Sequence, residues 1–377
     1  MARDTPASAG QRRAGLKQRW VAWRNRLIGS STFQRTAASN PLTRAIARRR
    51  SAQLFDLVAG FTYTQTLLAT VESGLLDHLE EGPRTVGDVA HACDLGPQAA
   101  QRLLRAAAAL DLAEEVEPDC WMLGEQGAAL HGNAGARAMI RHHRLLYADL
   151  ADPLALLRDD RSHATALSAF WSYVGRNGDS QDLDGKAREY SELMASSQAL
   201  VAEQVLAAYD FGRHASLLDV GGGSGAFAEA VAVRHPGLRL GIFDLPEVTQ
   251  ATASGTDAIA RHSGSFFSDP IPGGYDAVSL VRILHDHDDD RVMVLLRNIR
   301  ASLAPGARLI VAEPMAQTPG AEKMGDAYFG LYLWAMRSGR PRSAAETGQM
   351  LAAAGFADWR RIGTDLPVIT SLIVATA

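Results

Sequence analysis

Cysteine is nearly missing from this chain. Cys93 and Cys120 are the two among 377 residues, so no disulfide framework holds the fold, and no spacing of Cys and His resembles a structural zinc site. A reduced, cytoplasmic protein is expected. Long apolar runs are missing too: no stretch of about 18 apolar residues occurs, and the N-terminus has no apolar segment of the secretory kind. The chain is therefore expected not to cross a membrane. Acids are scarce at its start, where residues 1–55 carry 12 Arg or Lys against one acid, Asp4, although the formal net charge of the whole chain is -4. The remainder is clearly acidic. Two readings of the basic leader stand: Trp20, Trp23, Leu27 and Ile28 lie among its arginines as in a segment that rests peripherally on an anionic bilayer, or the leader is a solvated tail.

A chain of this length exceeds the usual size of a single core, so more than one domain is expected. The division read from the sequence is a basic leader over 1–50, a helical module over 51–180 and a second domain over 181–377. In 51–130 the pattern predicts short helices, with Leu67, Leu68, Val71, Leu75 and Leu76 at helical spacing. Thr85 with Asp88 forms a cap, and Pro97 opens a third helix. A polar hairpin near Glu117-Pro118-Asp119 completes a winged-helix pattern. That pattern can read DNA, but the third helix offers only Arg102 and Arg105 beside alanines, too little charge for phosphate contacts. A dimerisation and substrate-lid module without nucleic acid is preferred. The polar stretch 175–185 marks a hinge, and a helix is expected over 186–209.

From there strands and helices alternate: strand 215–220, helix 225–234, strand 238–243, strand 275–281, helix 288–303 and strand 307–312. Such alternation predicts an α/β fold with a Rossmann-like, doubly wound parallel sheet. Ligands of these sheets sit at the carboxyl ends of the strands.

The turn Leu218-Asp219-Val220-Gly221-Gly222-Gly223-Ser224-Gly225 follows an apolar strand and opens a helix, so Gly221 and Gly223 let a ligand approach backbone amides at the positive helix end. A nicotinamide or flavin site is the competitor. Asp219 before the glycines and Asp244 at the end of the next strand favour an adenosine cofactor, because an acid at 244 can accept from both ribose hydroxyls. Further on, Ser265 and Phe266 are placed to border an adenine, or Phe266 is plain core. Arg282 either meets the cofactor's carboxylate or pairs with an acid at the sheet end.

The string Leu284-His285-Asp286-His287-Asp288-Asp289-Asp290 invites a metal-site reading. The preferred account is that Asp288 to Asp290 cap the following helix and stabilise its dipole, with no metal. His285, at the end of a strand beside the cofactor, is read as a general base, and Glu313, at the end of the next, as the acceptor that orients its ring.

These motifs, together with Phe243-Asp244-Leu245-Pro246, Gly264-Ser265-Phe266-Phe267 and Val311-Ala312-Glu313-Pro314, resemble the small-molecule O-methyltransferases of plant caffeate and bacterial antibiotic type over about residues 50–377. The resemblance implies a winged-helix dimerisation domain joined to a methyltransferase domain, and hence a homodimer. It also implies S-adenosylmethionine as cofactor, with contacts at Gly221, Asp244, Leu245, Ser265 and Phe266, a methyl-side contact at Met194, and catalytic His285. Within the family, Pro41-Leu42-Thr43-Arg44, Ala47-Arg48-Arg49-Arg50, His142-His143-Arg144-Leu145-Leu146-Tyr147 and Gly325-Asp326-Ala327-Tyr328-Phe329 resemble the hydroxyneurosporene (demethylspheroidene) type of purple phototrophic bacteria. That likeness implies O-methylation of the tertiary 1-hydroxyl of an acyclic carotenoid. Two departures from the plant enzymes stand out: Pro341 replaces a second catalytic carboxylate, and His287 replaces a Trp. Glu346 lies a helical turn away from that position and is not assigned its role.

The chemistry so implied has a physical requirement. An aliphatic hydroxyl ionises so much less readily than an imidazolium that prior ionisation would cost on the order of 12 kcal/mol, so the proton must leave as the oxygen attacks. The acceptor is expected to meet Tyr147, Phe329, Tyr332 and Met336, although an aromatic and Met stripe with Leu333 also describes ordinary core. The alternatives are O- or C-methylation of another lipophilic pigment or a polyketide phenol, and a ligand-sensing DNA-binding regulator; Asp219, Asp244 and His285 together speak against the last.

Overall fold

The structure, a computed structural model, describes residues 15–174, 198–251 and 259–377. The expected hinge at 175–185 and Met194 lie outside the described residues, and of the helix expected over 186–209 the part 198–208 is described as helix.

Residues 16–39 form two helices, Leu16–Gly29 and Ser31–Ser39, neither of which buries a side chain. Where short helices were expected, the module opens with one helix of 29 residues, Arg44–Glu72. Its only helix-breaking residue is Gly60, which costs about 1 kcal/mol, so leader and module share this helix without a break. Helices Leu75–Glu80, Val86–Ala92 and Pro97–Ala109 follow, and Thr85 and Asp88 satisfy each other's amides at the start of the second. The antiparallel strands β1 (Ala113–Glu117) and β2 (Cys120–Leu123) make the wing. Leu75, Leu79, Val89, Leu104 and Trp121 bury themselves between these elements, each worth about 1.5–3 kcal/mol of apolar burial.

Seven strands make the second half: β3 (Ser216–Val220), β4 (Arg239–Asp244), β5 (Ile259–Ser263), β6 (Ala277–Val281), β7 (Arg308–Glu313), β8 (Asp358–Ile362) and β9 (Ser371–Thr376), in the order β5-β4-β3-β6-β7-β9-β8. The first five are parallel, and β9 lies antiparallel between β7 and β8. The sheet is therefore mixed where a wholly parallel one was expected. Residues 363–370 are too few for a crossover helix, so β8 and β9 can only pair antiparallel.

β3 and β6 are buried along their whole length, the reason their sequences are mostly apolar without alternation, and their inner polar residues, Asp219 and Ser279, bond each other. Phe227 and Val231 cover one face, and Leu295, Leu296 and Ile299 the other. Chain order reverses at β3, which opens a crevice at the carboxyl ends of β3, β4 and β6. Helix Ala134–Asp149 joins the halves, since Leu146 packs with Leu156 and Leu167 against Tyr332, Leu333 and Met336.

Candidate active site

After Val220 the chain turns through Gly221, Gly223 and Gly225, at φ of 74°, 57° and 99°, a region that L side chains avoid. A Cβ on Gly221 would stand 2.5 Å from Ile283 Cδ1, whereas one on Gly223 would meet nothing within 4 Å. The turn thus has a packed side and an open side, the latter just ahead of helix Ala226–Arg234. Asp244 stands beside it: its Oδ2 accepts from Gly223 N–H at 2.8 Å and its Oδ1 from Leu245 N–H at 2.7 Å. Burial pushes this carboxyl above the usual range, while the two amides favour its charge. Asp219 works from beneath. It is 2% exposed, accepts from Ser279 Oγ at 2.6 Å and is pushed up to about 7 by burial, with Asp244 adding to the shift. It ties β3 to β6 under the turn instead of facing the crevice.

The other expected cofactor residues gather at the same place. Phe266 Cε1 comes within 3.6 Å of the Cβ position of Gly221, and its ring meets Phe267 and His287 edge-on. Ser265 Oγ accepts from Phe267 N–H at 3.4 Å, and Leu245 is 39% exposed. Arg282 sits at φ 58° with its N–H on the Ala312 carbonyl at 2.8 Å. An adenosine cofactor fits this crevice: open backbone at a helix start, a carboxylate oriented by two amides, and an aromatic edge.

His285 lies on the short turn Leu284–Asp286 beyond β6, and Glu313 ends β7, the neighbouring strand. His285 is 6% exposed and Glu313 4%. His285 Nδ1 bonds Glu313 Oε2, and Glu313 Oε1 accepts from the amides of Ile283 at 2.9 Å and Leu284 at 2.6 Å. One carboxylate therefore fixes both the ring and the turn that carries it. His285 Nε2 faces Asp286 Oδ1 at 3.1 Å. Burial works to lower the imidazole's pKa, but Asp286 and Glu313 outweigh it, and the ring stays above its ordinary value.

Of the acidic string after His285, Asp290 caps a free amide as expected, its Oδ1 accepting from Arg291 N–H at 2.8 Å, whereas Asp288 and Asp289 do not. Asp288 is at the N-cap with no side-chain cap bond; its carboxylate pairs with Arg161 at 2.8 Å. Asp289 is taken by Arg340 and Arg342. The charges all lie at the positive helix end, but the geometry of Asp288 and Asp289 is set by arginines distant in sequence. Among the described residues no group of three or more His, Cys, Asp or Glu is placed to hold a metal.

Arg342 is the residue that sequence reasoning missed. Its buried guanidinium donates to the Leu284 carbonyl at 2.7 Å, the His287 carbonyl at 2.7 Å and Asp289 Oδ1 at 2.9 Å from Nε, so it brackets the His285 turn from both ends. Gly339 passes close beneath: a Cβ there would collide with the His285 carbonyl, and its φ is 76°. Local sequence holds no signal for Arg342 beyond its place just ahead of the capping box Ser343–Glu346. Glu346 is used up by that box and by Arg340.

The expected substrate residues divide. Phe329 meets the His285 ring at 5.6 Å between centroids. Tyr332 and Met336 are buried at 5% and 7% and pack with Leu146 and Leu167, as core side chains do. Tyr332 and Tyr328 hydroxyls bond His142 and His143 at 2.8 and 2.7 Å, two ties between helix Ala134–Asp149 and the segment that borders His285. Tyr147 joins this group through the His143 ring at 6.2 Å. Burial lowers both imidazoles, His142 to about 4, so they serve as neutral hydrogen-bonding rings.

Residues 147–357 match the O-methyltransferase domain, and residues 55–131 the O-methyltransferase dimerisation domain. The chain is 42% identical over 356 residues to the demethylspheroidene O-methyltransferase of Cereibacter sphaeroides, covering 93% of each chain. It is also 42% identical over 335 residues to the enzyme of that name from Rhodobacter capsulatus, covering 89% of this chain and 84% of that one. Among solved structures it resembles CalO1, a methyltransferase in calicheamicin biosynthesis in its SAH-bound form, with a TM-score of 0.72 at 27% identity over 87% of this chain and 98% of the other. A domain match across more than half the sequence and an identity this high along nearly all of a relative have one explanation: the chain belongs to the O-methyltransferase family.

Proposed function

We propose that this enzyme methylates the tertiary 1-hydroxyl of an acyclic carotenoid, as the names of its two 42%-identical relatives suggest, with His285 as general base. S-adenosylmethionine supplies an electrophilic methyl group. In this reading Gly221, Gly223, Asp244, Leu245, Ser265, Phe266 and Arg282 hold it, with Asp219 bracing the turn from below. The observation that carries the chemistry is the pairing of His285 with Glu313. Nδ1 donates to the carboxylate, which leaves the lone pair on Nε2 to accept a proton. The acceptor hydroxyl competes with Asp286 for Nε2, and the charge of that carboxylate keeps the nitrogen basic. Phe329, Tyr147 and Tyr328, each part-exposed, offer an aromatic wall suited to a polyene, with the buried Tyr332 packed behind them.

The reading divides the chain into a leader over 1–50, a dimerisation and lid domain over 51–180 and a methyltransferase domain over 181–377. It makes the protein a homodimer: Leu54, Phe55, Leu57, Val58 and Phe61 are all more than 60% exposed on helix Arg44–Glu72, at the edge of the matched dimerisation domain. No helix among the described residues is long and apolar enough to cross a membrane, and the reading includes peripheral contact with one.

The test is transfer of labelled methyl from S-adenosylmethionine to hydroxylated acyclic carotenoids in detergent, with flavonoids and bacteriochlorophyllides as rivals. His285→Ala is expected to lower turnover about 100 to 10,000 fold with cofactor affinity unchanged. Turnover of a rival but not of the carotenoid overturns the substrate, and near-normal turnover in the variant overturns the base.

A further inference from the structure

Helix Leu16–Gly29 has an unusual surface. At 100° per residue Leu16, Trp20, Trp23 and Leu27 fall on one stripe, with Arg19 and Arg26 along one flank and Lys17 and Arg24 along the other. The helix buries none of its residues, and Trp20 and Trp23 are 56% and 58% exposed. Arg24 lies over the Trp20 ring at 5.3 Å. The two following helices and the turn between them add exposed Phe33, Leu42 and Ile46, and Arg35, Arg44, Arg48, Arg49 and Arg50. Two tryptophans on an apolar stripe between rows of basic side chains match the boundary of a bilayer, where rings sit at headgroup depth and cations meet lipid phosphate.

We infer that helix Leu16–Gly29 docks, apolar stripe down, on the surface of an anionic lipid bilayer, and so brings the catalytic domain to a membrane-dissolved acceptor. Charge complementarity selects this occupant. With 12 basic residues and one acid in 1–55, two copies of the segment repel each other, and the matched dimerisation domain begins only at residue 55. The purpose rests on the carotenoid reading, but the docking rests on the helix alone.

The experiment uses the full chain and two variants, Trp20→Glu with Trp23→Glu, and Arg19→Gln with Arg26→Gln. Co-sedimentation is measured with vesicles of phosphatidylcholine alone and with one third phosphatidylglycerol, at low and high salt. The unmodified protein is expected to bind the anionic vesicles, and to be released by salt. Each basic residue at such a surface is worth about fivefold in partitioning, so the arginine variant weakens binding on the order of 30-fold. The tryptophan variant loses binding, while both keep turnover of detergent-dispersed acceptor and the same mass by light scattering. Equal binding to neutral and anionic vesicles, undiminished binding by the tryptophan variant, or its conversion to a smaller species, which would place the stripe in a protein interface, overturns the inference. Failure of turnover in detergent by the unmodified protein instead refutes the substrate reading and leaves the vesicle result standing.

Discussion

Replacing Glu313 with Gln tests the proposed chemistry at its narrowest point, because one carboxylate holds both the His285 ring and the turn beneath it. The amide oxygen can still accept from the Ile283 and Leu284 amides, so the turn is expected to keep its shape. The amide nitrogen then faces His285 Nδ1 as a donor. To accept that bond the ring must move its proton to Nε2, the atom that has to take the substrate's proton. In hydrolases with the Ser-His-Asp arrangement the same change costs about 10,000 fold in turnover, and a positioned base is worth about 100 to 10,000 fold. Turnover is thus expected to fall within that span, about 3 to 5 kcal/mol in barrier. The pH profile adds a signature. Only the neutral ring accepts a proton, so the native rate rises with pH, and because Asp286 and Glu313 hold the imidazole above its ordinary value, the midpoint lies above about 6.5. Loss of the Glu313 charge moves the midpoint to lower pH while the plateau drops. Single-turnover rates across pH, with cofactor affinity by calorimetry as a control, provide the assay. A variant within tenfold of native turnover, or an unmoved midpoint, refutes the assignment of Glu313.

What the sequence made readable follows how far apart the interacting residues lie. β3, β4, β6 and β7 were legible because burial on both faces leaves apolar runs, and the glycine turn because its φ angles and its strand-to-helix setting are local. The His285–Glu313 pair was legible because parallel neighbours in the sheet bring adjacent strand ends together. β8 and β9 were not anticipated, since Asp358–Ile362 is half exposed and lacks a clear alternation. The long helix Arg44–Glu72 was read as shorter pieces because its exposed apolar side chains blur the helical period. Asp289 looked like a cap because its partners Arg340 and Arg342 lie more than 50 residues onward. Tyr332 and His142 are 190 residues apart, so a stripe that reads equally as core or pocket wall is resolved only by the fold.

Two further predictions probe the crevice and the support of the base. Asp244→Ala removes the acceptor that the Gly223 and Leu245 amides orient; losing one or two charge-assisted bonds is worth about 2 to 4 kcal/mol, so calorimetry should find S-adenosylmethionine bound about 30 to 1000 fold more weakly, and an unchanged affinity would remove Asp244 from the cofactor site. Arg342→Lys addresses positioning. Lysine keeps the buried charge opposite Asp289, but a single ammonium cannot span the Leu284 and His287 carbonyls together as the planar guanidinium does. The His285 turn is then held at one end, and a displacement of about 1 Å at a reacting group costs on the order of 100 fold. Turnover should fall about 10 to 100 fold with cofactor affinity kept, since no atom of Arg342 is placed at the glycine turn. A general loss of stability would lower activity too, so Asp289→Asn supplies the discriminating comparison. If Arg342 and Asp289 act on the turn as one unit, the double variant loses little more turnover than Arg342→Lys alone. Losses that simply multiply, or native turnover in Arg342→Lys, would show that the bracket around His285 is packing and not part of how the base is aimed.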